Sequence, residues 1–211
     1  MRIGILGSGN VGQHLALGFI KLGNEVKIGT RDTDKLKDFA DKNPKIKLGN
    51  FEEAAHFGEI IVIATSWAGT ENAINLAKKS NFHNKIVIDV TNALDFSHGM
   101  PPKLDSSPGN SAGERIQKWL PESKIVKAFN IVNAQLMCAP KIDKNEPDLF
   151  IAGNDDEAKK LVASFAHQWG WRNVHDLGKI EQAYLLEALA MIIVNFGFKD
   201  NNWMRAFKLL S

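Results

Sequence analysis

Short apolar runs alternate with amphipathic stretches from Met1 to Phe129. The first run, 1–6, is followed at Asn10 by a stretch whose apolar residues recur at the spacing of one helical face. Further runs predict strands at 25–29, 46–48, 60–64, 85–89 and 124–129, with helices at 33–42, 51–57 and 111–120. Strands that alternate with helices are typical of a parallel sheet covered on both faces. The pattern therefore predicts an α/β fold of the Rossmann type, doubly wound around a mainly parallel sheet.

The last third of the chain has fewer alternating strands and helices and ends in a long apolar stretch. A strand at 149–152, a helix at 155–169 and a short strand at 171–175 lead into 181–196, which is almost continuously apolar. A helix that is apolar on all sides is buried or lies at a subunit interface, and at about sixteen residues this one is short of a typical membrane span. We predict a Rossmann domain at 1–151 and an extension at 152–211 that packs with it as one unit and supplies a homodimer surface.

The turn between the first strand and the first helix has a G-x-G-x-x-G pattern. It reads Gly7-Ser8-Gly9-Asn10-Val11-Gly12. Between a strand and a helix, this pattern binds the pyrophosphate of a dinucleotide. Gly7 permits the sharp turn, Gly9 has no side chain to block the pyrophosphate, and Gly12 lets the helix pack closely on the strand. Since the N–H groups and the positive dipole of the helix face the phosphates, we predict that all six residues bind a cofactor.

The tip of the second strand predicts which dinucleotide is bound. It contains Thr30 and Arg31, and Lys35 follows one helical turn later. An acidic residue at this tip holds the ribose of NAD, whereas an arginine accommodates the 2′-phosphate of NADP. Arg31 and Lys35 therefore favour NADP(H), unless both are merely solvated charges. Asp32 could be the ribose acid, but we interpret it as the N-cap of the helix 33–42.

Residues that follow three later strands are also predicted to line the cofactor cleft, because open α/β sheets bind ligands at the carboxyl ends of their strands. They are Thr65, Ser66, Trp67, Thr91, Asn92, Ala128 and Asn130. Thr91 and Asn92 can reach the nicotinamide half of the cofactor or simply satisfy the loop backbone, and Trp67 walls the cleft or simply packs. The proline-rich segment 95–110 predicts a long functional or mobile loop, which ends in a capping box at 111–114.

The composition restricts the class of partner. With 26 basic and 24 acidic side chains and no basic run interleaved with aromatics, nucleic acid is not an expected partner. Cys138 is the only cysteine, and the six histidines lack metal-ligand spacing, so neither a disulfide nor a metal site is predicted. The first strand begins at once and no apolar run reaches the length of a bilayer span. We therefore expect a cytoplasmic protein without a membrane partner.

No acid–base constellation stands out, and the catalytic residues are therefore unassigned. The chain has neither a G-x-S-x-G nucleophile elbow nor a Walker lysine. Hydride transfer from a nicotinamide to an acceptor that is itself an electron sink needs positioning rather than a proton donor. Reduction of a carbonyl or imine needs such a donor, and Lys127 is the best candidate, although an ordinary exposed lysine is the simpler interpretation.

Several motifs resemble those of the coenzyme F420-dependent NADP oxidoreductases, in which NADPH and a deazaflavin exchange hydride. They are the segments 3–12, 29–31, 88–92, 126–130 and 186–189. The same domain is similar to the cytosolic NADPH-binding half of the six-transmembrane metalloreductases, which pass electrons through a flavin to metal ions. The resemblance implies that the NADP phosphates are bound by Ser8, Thr30, Arg31 and Lys35. It also implies that the acceptor lies beside the segments 130–133 and 195–203, where our candidates are Val132, Asn133, Asn195 and Trp203.

The expected function is hydride transfer between NADPH and a planar small-molecule acceptor such as coenzyme F420 or a flavin, with the C-terminal helices as a lid. Two alternatives stay open. One is an NADPH-dependent dehydrogenase or imine reductase, whose N-terminal motif is similar but whose families add a long helical domain. The other is a module that senses NADPH without turning it over.

Overall fold

The computed structural model describes residues 1–210 and contains one main sheet flanked by helices. The strands are β1 (Arg2–Leu6), β2 (Glu25–Gly29), β3 (Ile46–Gly49), β4 (Ile60–Ile63), β5 (Ile86–Asp89), β6 (Leu94–Asp95), β7 (Lys103–Leu104), β8 (Lys124–Lys127), β9 (Leu149–Gly153) and β10 (Val174–Asp176). The helices are α1 (Asn10–Lys21), α2 (Lys37–Lys42), α3 (Phe51–Phe57), α4 (Trp67–Leu76), α5 (Ala112–Trp119), α6 (Ala134–Met137), α7 (Asp156–Gln168) and α8 (Ala183–Asp200).

Eight strands form the main sheet, in the spatial order β10-β9-β8-β5-β4-β1-β2-β3. Neighbouring strands pair in parallel except β8 and β9, which are antiparallel. The chain runs outward from β1 to β3 on one side and from β4 to β8 on the other, so the strand order reverses between β1 and β4. This topology confirms the predicted doubly wound, mainly parallel sheet of the Rossmann type.

Side chains of the central strands alternate between two faces, and each face has its own hydrophobic core. Ile60 and Val62 of β4 pack on the face covered by α1 and α7, whereas Ile61 and Ile63 pack on the face covered by α3, α4 and α5. All four side chains are buried, since β4 lies between β1 and β5. The unbroken apolar run is therefore that of a central strand covered on both sides.

The two parts of the chain share the first of these cores. Phe19 of α1 contacts Phe165 and Trp169 with ring centroids 5.2 and 4.8 Å apart. The indole N–H of Trp169 also donates to the carbonyl of Gly18 at 3.1 Å. Edge-to-face aromatic pairs add to the stabilisation from burial, so these contacts stabilise the packing of α7 against α1. The division of roles between 1–151 and 152–211 stays a prediction, and β9 crosses that boundary within the main sheet.

The helix predicted at 33–42 begins differently from the prediction. Its first turn, Asp34–Leu36, is a 3₁₀ helix, and α2 follows it directly. Thr33 occupies the N-cap position, so the assignment of Asp32 as N-cap is corrected. The Asp32 carboxylate instead accepts the N–H of Asp34 at 3.1 Å, two residues on, as Asx turns do.

The loop predicted at 95–110 contains some regular structure. β6 and β7 form a short antiparallel hairpin at its start, which the sequence prediction missed. At its end, the hydroxyl of Ser111 accepts the N–H of Glu114 at 3.1 Å, and the Glu114 carboxylate accepts the N–H of Ser111 at 3.0 Å. The predicted capping box is therefore present and begins α5.

Helix α8 is partly core and partly surface. Together with the preceding turn it forms Ile180–Asp200, which contains an 18-residue window with a mean hydropathy of 1.3. It is the one helix within residues 1–210 that is long and apolar enough to cross a membrane by length and composition, so the expectation that no apolar segment reaches this length is corrected. Leu186 and Ala190 are buried in the fold. On another face, Leu185, Ile192 and Phe196 are 39%, 43% and 47% exposed. This exposed apolar stripe follows one side of the helix.

The residues 203–210 form a C-terminal strap that has no regular secondary structure and is tied to the start of β9. The N–H of Asp148 donates to the carbonyl of Phe207 at 2.9 Å, and its carboxylate accepts the N–H of Leu209 at 3.0 Å. Asn173 and His175 donate to the same carboxylate at 2.9 and 3.0 Å. Burial acts to raise the pKa of Asp148, but these hydrogen bonds outweigh it and hold the pKa below its usual value.

Asp148→Asn is expected to destabilise the fold at neutral pH but not in acid. The pKa of Asp148 is lower in the folded chain than in the unfolded chain. The stabilisation that its carboxylate gives to the fold is therefore complete above the unfolded pKa of about 4. This stabilisation is lost as the pH falls through the folded pKa. Urea denaturation at a series of pH values should give a difference between wild type and variant that narrows below about pH 4. Asp143→Asn, at an exposed position of the same segment, is the control. A difference that is constant with pH would contradict this role.

Candidate functional site

Five strands of the main sheet end at one row. Leu6 of β1 pairs with Gly29 of β2 and with Ile63 of β4. Ile63 pairs in turn with Asp89 of β5, and Asp89 pairs with Lys127 of β8. Because these strands are parallel, the residues that follow them meet at the carboxyl edge of the sheet. The predicted site segments are far apart in sequence but are neighbours at this edge.

The three glycines of the turn after β1 differ in the space around them: Gly7 and Gly12 are packed against backbone atoms, whereas Gly9 is open. Gly7 has φ +123°, and a Cβ there would lie 2.3 Å from the carbonyl oxygen of Ala64. A Cβ on Gly12 would lie 2.1 Å from the carbonyl oxygen of Gly7, which is why α1 can approach the turn only with glycine there. Around Gly9, by contrast, a Cβ would meet no atom within 4 Å, and no side chain caps α1. The pyrophosphate of a dinucleotide fits this open space beside the helix N–H groups.

A cavity of about 630 Å³ lies over this turn, a size typical of small-molecule sites. Many predicted cofactor residues line it, namely Gly7, Ser8, Gly9, Thr30, Arg31, Lys35, Thr65 and Ser66. The other lining residues are Asp32, Phe51, Ala64, Gly69 and Asn72. The sequence prediction missed Gly69 and Asn72, although they follow Ser66 at intervals of three residues on α4. Helical spacing from Ser66 would have found both.

Hydroxyl groups and charges gather at the tip of β2. Thr30 donates to the carbonyl of Asp32 at 3.2 Å, and the hydroxyls of Ser8 and Thr30 lie 3.0 Å apart, within hydrogen-bond distance. The ammonium of Lys35 is 3.6 Å from the Asp32 carboxylate, and Lys35 is 83% exposed. Arg31 is exposed on the same wall of the cavity. Two cations against one carboxylate give this wall a net charge of +1, which suits a bound anion.

Trp67 does not line the cavity. Its ring stacks on Trp119 with centroids 5.6 Å apart, and the guanidinium of Arg115 lies 5.2 Å from its centroid. Arg115 in turn donates to the side chains of Asp105 and Asn110, both at 2.9 Å. The geometry therefore favours the packing interpretation of Trp67, which connects α4 to the loop before α5.

The segments after β5 and β8 are joined by a pair of amides. Asn92 donates from its side chain to the backbone carbonyl of Asn130 at 3.0 Å, and Asn130 donates to the Oδ1 of Asn92 at 2.8 Å. The Oδ1 of Asn130 is buried and has no hydrogen-bond partner within residues 1–210. Thr91 and Ala128 are also buried, and the Thr91 hydroxyl donates to Asp89 at 2.7 Å. The segments after β5 and β8 are therefore mostly buried and hydrogen-bonded to each other, and within residues 1–210 the Oδ1 of Asn130 is an acceptor without a donor.

Lys127 is fully buried in an ion cluster, so the expectation of an exposed lysine is wrong. Its ammonium lies 2.8 Å from Asp89 and 3.0 Å from Glu187, and it donates to the carbonyl of Thr91 at 2.6 Å. The side chain is enclosed because β8 is an interior strand and α8 covers its end. Burial acts to lower the pKa of Lys127, but the two carboxylates outweigh it and the pKa lies above its usual value. Lys127 therefore stays protonated at neutral pH, and its ammonium is bound by Asp89, Glu187 and the carbonyl of Thr91 rather than facing a ligand.

Glu187 connects this ion cluster to two helices. It lies on α8, is fully buried and accepts the N–H groups of Ala112 and Gly113 at 3.1 and 3.3 Å. These are the first residues of α5, where N–H groups lack partners within the helix. No role for Glu187 was predicted from the sequence. The available signal was a single acidic residue in an otherwise apolar stretch, since buried glutamates are almost always paired.

The acceptor candidates fall into two groups. Val132 is buried, and Asn133 caps α6 by accepting the N–H of Gln135 at 2.9 Å, directly after the amide pair. Asn195 is exposed near the end of α8, and the ring of Trp203 packs on Phe198 with centroids 5.3 Å apart. Near this second group lies a cavity of about 520 Å³ between α8 and the strap, which shares no lining residue with the cofactor cavity.

Known proteins resemble this chain in sequence and in fold. Residues 2–93 match the profile of a family described as NADP oxidoreductase, coenzyme F420-dependent. The F420-dependent NADP reductase of Methanocaldococcus jannaschii is 31% identical over 94% of this chain and 93% of its own length. A proposed F420-dependent NADP reductase from an Arthrobacter species, known from its crystal structure, is 36% identical with a TM-score of 0.96 over the full length of both chains. The metalloreductase STEAP3 of Rattus norvegicus is 29% identical over 90% of this chain and 36% of its own length.

Lys127→Met is expected to lower the free energy of unfolding by about 3–5 kcal/mol, because it leaves two carboxylates buried without their cation. Lys124→Met is the matched control at the other end of β8, where the ammonium pairs with Asp155 at the surface. Exposed pairs contribute about 0–1 kcal/mol, so the control should change stability far less. Urea denaturation of both variants measures the difference. Equal losses would show that the buried cluster has no special role.

Proposed function

This chain belongs to the family of F420-dependent NADP reductases, and on that premise we propose that it transfers hydride between NADPH and a planar acceptor such as coenzyme F420 or a flavin. Family membership makes it an NADP-dependent oxidoreductase with NADP(H) as cofactor. The observation that carries the proposal is the cavity at the glycine turn, with open space at Gly9 and cations at Arg31 and Lys35. This combination suits the pyrophosphate and the 2′-phosphate of one dinucleotide.

The proposed orientation of the cofactor follows from the order of the strand ends. With the pyrophosphate at Gly9 and the 2′-phosphate at Thr30 and Arg31, the nicotinamide half extends over the ends of β4, β5 and β8. The pair of Asn92 and Asn130 lies along this path.

The site supports an acceptor that needs no proton from the protein. When bound, NADPH supplies a hydride, and the chain contributes an ordered edge that orients the reactants. Lys127 was the best candidate acid, and it is held in place by Asp89, Glu187 and the carbonyl of Thr91. A carbonyl or imine substrate needs a proton donor. A conjugated ring that takes up the electrons itself therefore fits this edge better.

Val132 and Asn133 are the proposed neighbours of the acceptor, because they follow Asn130 at the same edge of the sheet. Asn195 and Trp203 lie near the end of α8, and their part in the acceptor site is proposed on the family resemblance. The C-terminal helices and the strap are the proposed lid.

We also propose that the chain is a cytoplasmic homodimer whose small-molecule acceptor is its main partner. The exposed stripe of Leu185, Ile192 and Phe196 on α8 supports the homodimer, since apolar stripes of this kind are typical of subunit interfaces. Light scattering on the purified chain tests it, and a monomer at micromolar concentration would reject it.

Arg31→Glu is expected to raise the dissociation constant of NADPH by at least about tenfold and that of NADH by less than about twofold, because only NADPH carries the 2′-phosphate. Titration calorimetry with both nucleotides measures the two constants. Lys37→Glu makes the same change of charge on α2 outside the cavity and should leave both constants as they are. Equal losses for NADPH and NADH would refute the 2′-phosphate assignment.

The acceptor is tested by following NADPH absorbance with F420, free flavins, a ferric chelate and a simple carbonyl or imine offered in parallel. We expect oxidation with F420 or a flavin, and none with the carbonyl or imine, because the edge supplies no proton. Oxidation by the carbonyl or imine alone would favour the imine-reductase alternative. Tight binding of NADPH without oxidation by any acceptor would favour the sensing module.

A further inference from the structure

Helix α4 carries a glycine that the fold itself does not require. A Cβ on Gly69 would come no closer than 3.7 Å to another atom, the hydroxyl oxygen of Ser66, which is an ordinary contact distance. A Cβ on Gly4 or Gly12, by contrast, would lie 2.1 Å from a backbone carbonyl oxygen. Gly69 lies within a regular α-helix, where glycine is less favourable than alanine. Neither packing nor helix geometry therefore explains this glycine.

The space that Gly69 leaves open belongs to the cofactor cavity. Ser66, Gly69 and Asn72 recur at intervals of three residues on α4, and all three line the cavity. This wall carries no charge, and the first turn of α4 contains neither an acidic nor a basic residue. Gly69 thus resembles Gly9, the other lining glycine around which a side chain would meet no close neighbour.

The charged parts of the cofactor have partners on other walls. The pyrophosphate is assigned to the turn at Gly9 and the 2′-phosphate to Arg31 and Lys35 of the same cavity. The part of the adenosine half that still lacks a partner is the adenine base, which is carried on the same ribose and is planar and uncharged. An uncharged wall with open space over the backbone at Gly69 and one amide side chain is complementary to such a base.

We propose that α4 binds the adenine base, with the base flat against the backbone at Gly69 and the carboxamide of Asn72 hydrogen-bonded to the base edge. A carboxamide presents a donor beside an acceptor, which matches the ring nitrogen N1 and the adjacent 6-amino group of adenine. Asn72 is exposed and therefore free to reach a ligand. This inference rests on the proposed function, because it takes the dinucleotide to occupy the cavity.

The role of Asn72 is tested with NADP⁺ and its etheno derivative, in which a two-carbon bridge blocks the ring nitrogen and the amino group of adenine. The wild type should bind NADP⁺ at least about tenfold more tightly, and Asn72→Ala should reduce this preference to about onefold. Asn75→Ala, on the same helix but outside the cavity, is the matched control and should keep the preference. A preference that survives in Asn72→Ala, or is missing in the wild type, would overturn the assignment.

The role of Gly69 is tested with Gly69→Ala, which should keep or raise the stability of the fold but weaken the binding of NADP⁺. Gly69→Ala should keep or raise the melting temperature, by up to about 3 °C, because alanine favours the helix. The same variant should bind NADP⁺ at least about fivefold more weakly, because its methyl group separates the base from the backbone. Unchanged affinity in this folded variant would reject the platform at Gly69. Failure of the wild type to bind NADP⁺ at all would reject the proposed function itself, and this inference with it.

Discussion

A lysine ammonium enclosed by two carboxylates at the carboxyl edge of the sheet is the interaction on which the architecture of the site depends. Lys127, Asp89 and Glu187 are all fully removed from water, and none of them could stay charged there alone. They belong to β8, β5 and α8, so the charges hold three elements in one position. The ammonium also binds the carbonyl of Thr91, and the cluster therefore orders the turn beside the proposed nicotinamide path.

The same cluster explains why a C-terminal helix is part of a nucleotide-binding fold. Glu187 accepts the first N–H groups of α5, which otherwise lack partners, and so joins α8 to the helix that follows the long loop. Arg115 of α5 then binds that loop and covers Trp67 at the start of α4. A continuous chain of contacts thus runs from the sheet edge to the wall of the cofactor cavity. Rigid walls of this kind favour accurate positioning, which is what hydride transfer requires.

The charged and the uncharged lining residues of the cavity lie on different walls. Its cationic wall at the tip of β2 suits a phosphate, its glycine turn suits a pyrophosphate, and its uncharged wall on α4 suits a planar base. Each wall follows a different strand, and the pairing of Gly29, Leu6 and Ile63 in one row brings the walls together. The proposed recognition of one dinucleotide is therefore distributed over segments that are far apart in the sequence.

The sequence by itself determined the features that depend on neighbouring residues. The apolar run of β4, the capping box before α5 and the glycine turn are all local, because period, capping and backbone freedom act over a few residues. The tertiary structure alone decided which charges meet. Nothing near Lys127 in sequence reveals that Asp89 and Glu187 surround it, and Trp67 packs away from the cavity because Trp119 and Arg115 cover it. Burial and pairing of this kind arise between residues that are far apart in the chain, and no local pattern encodes them.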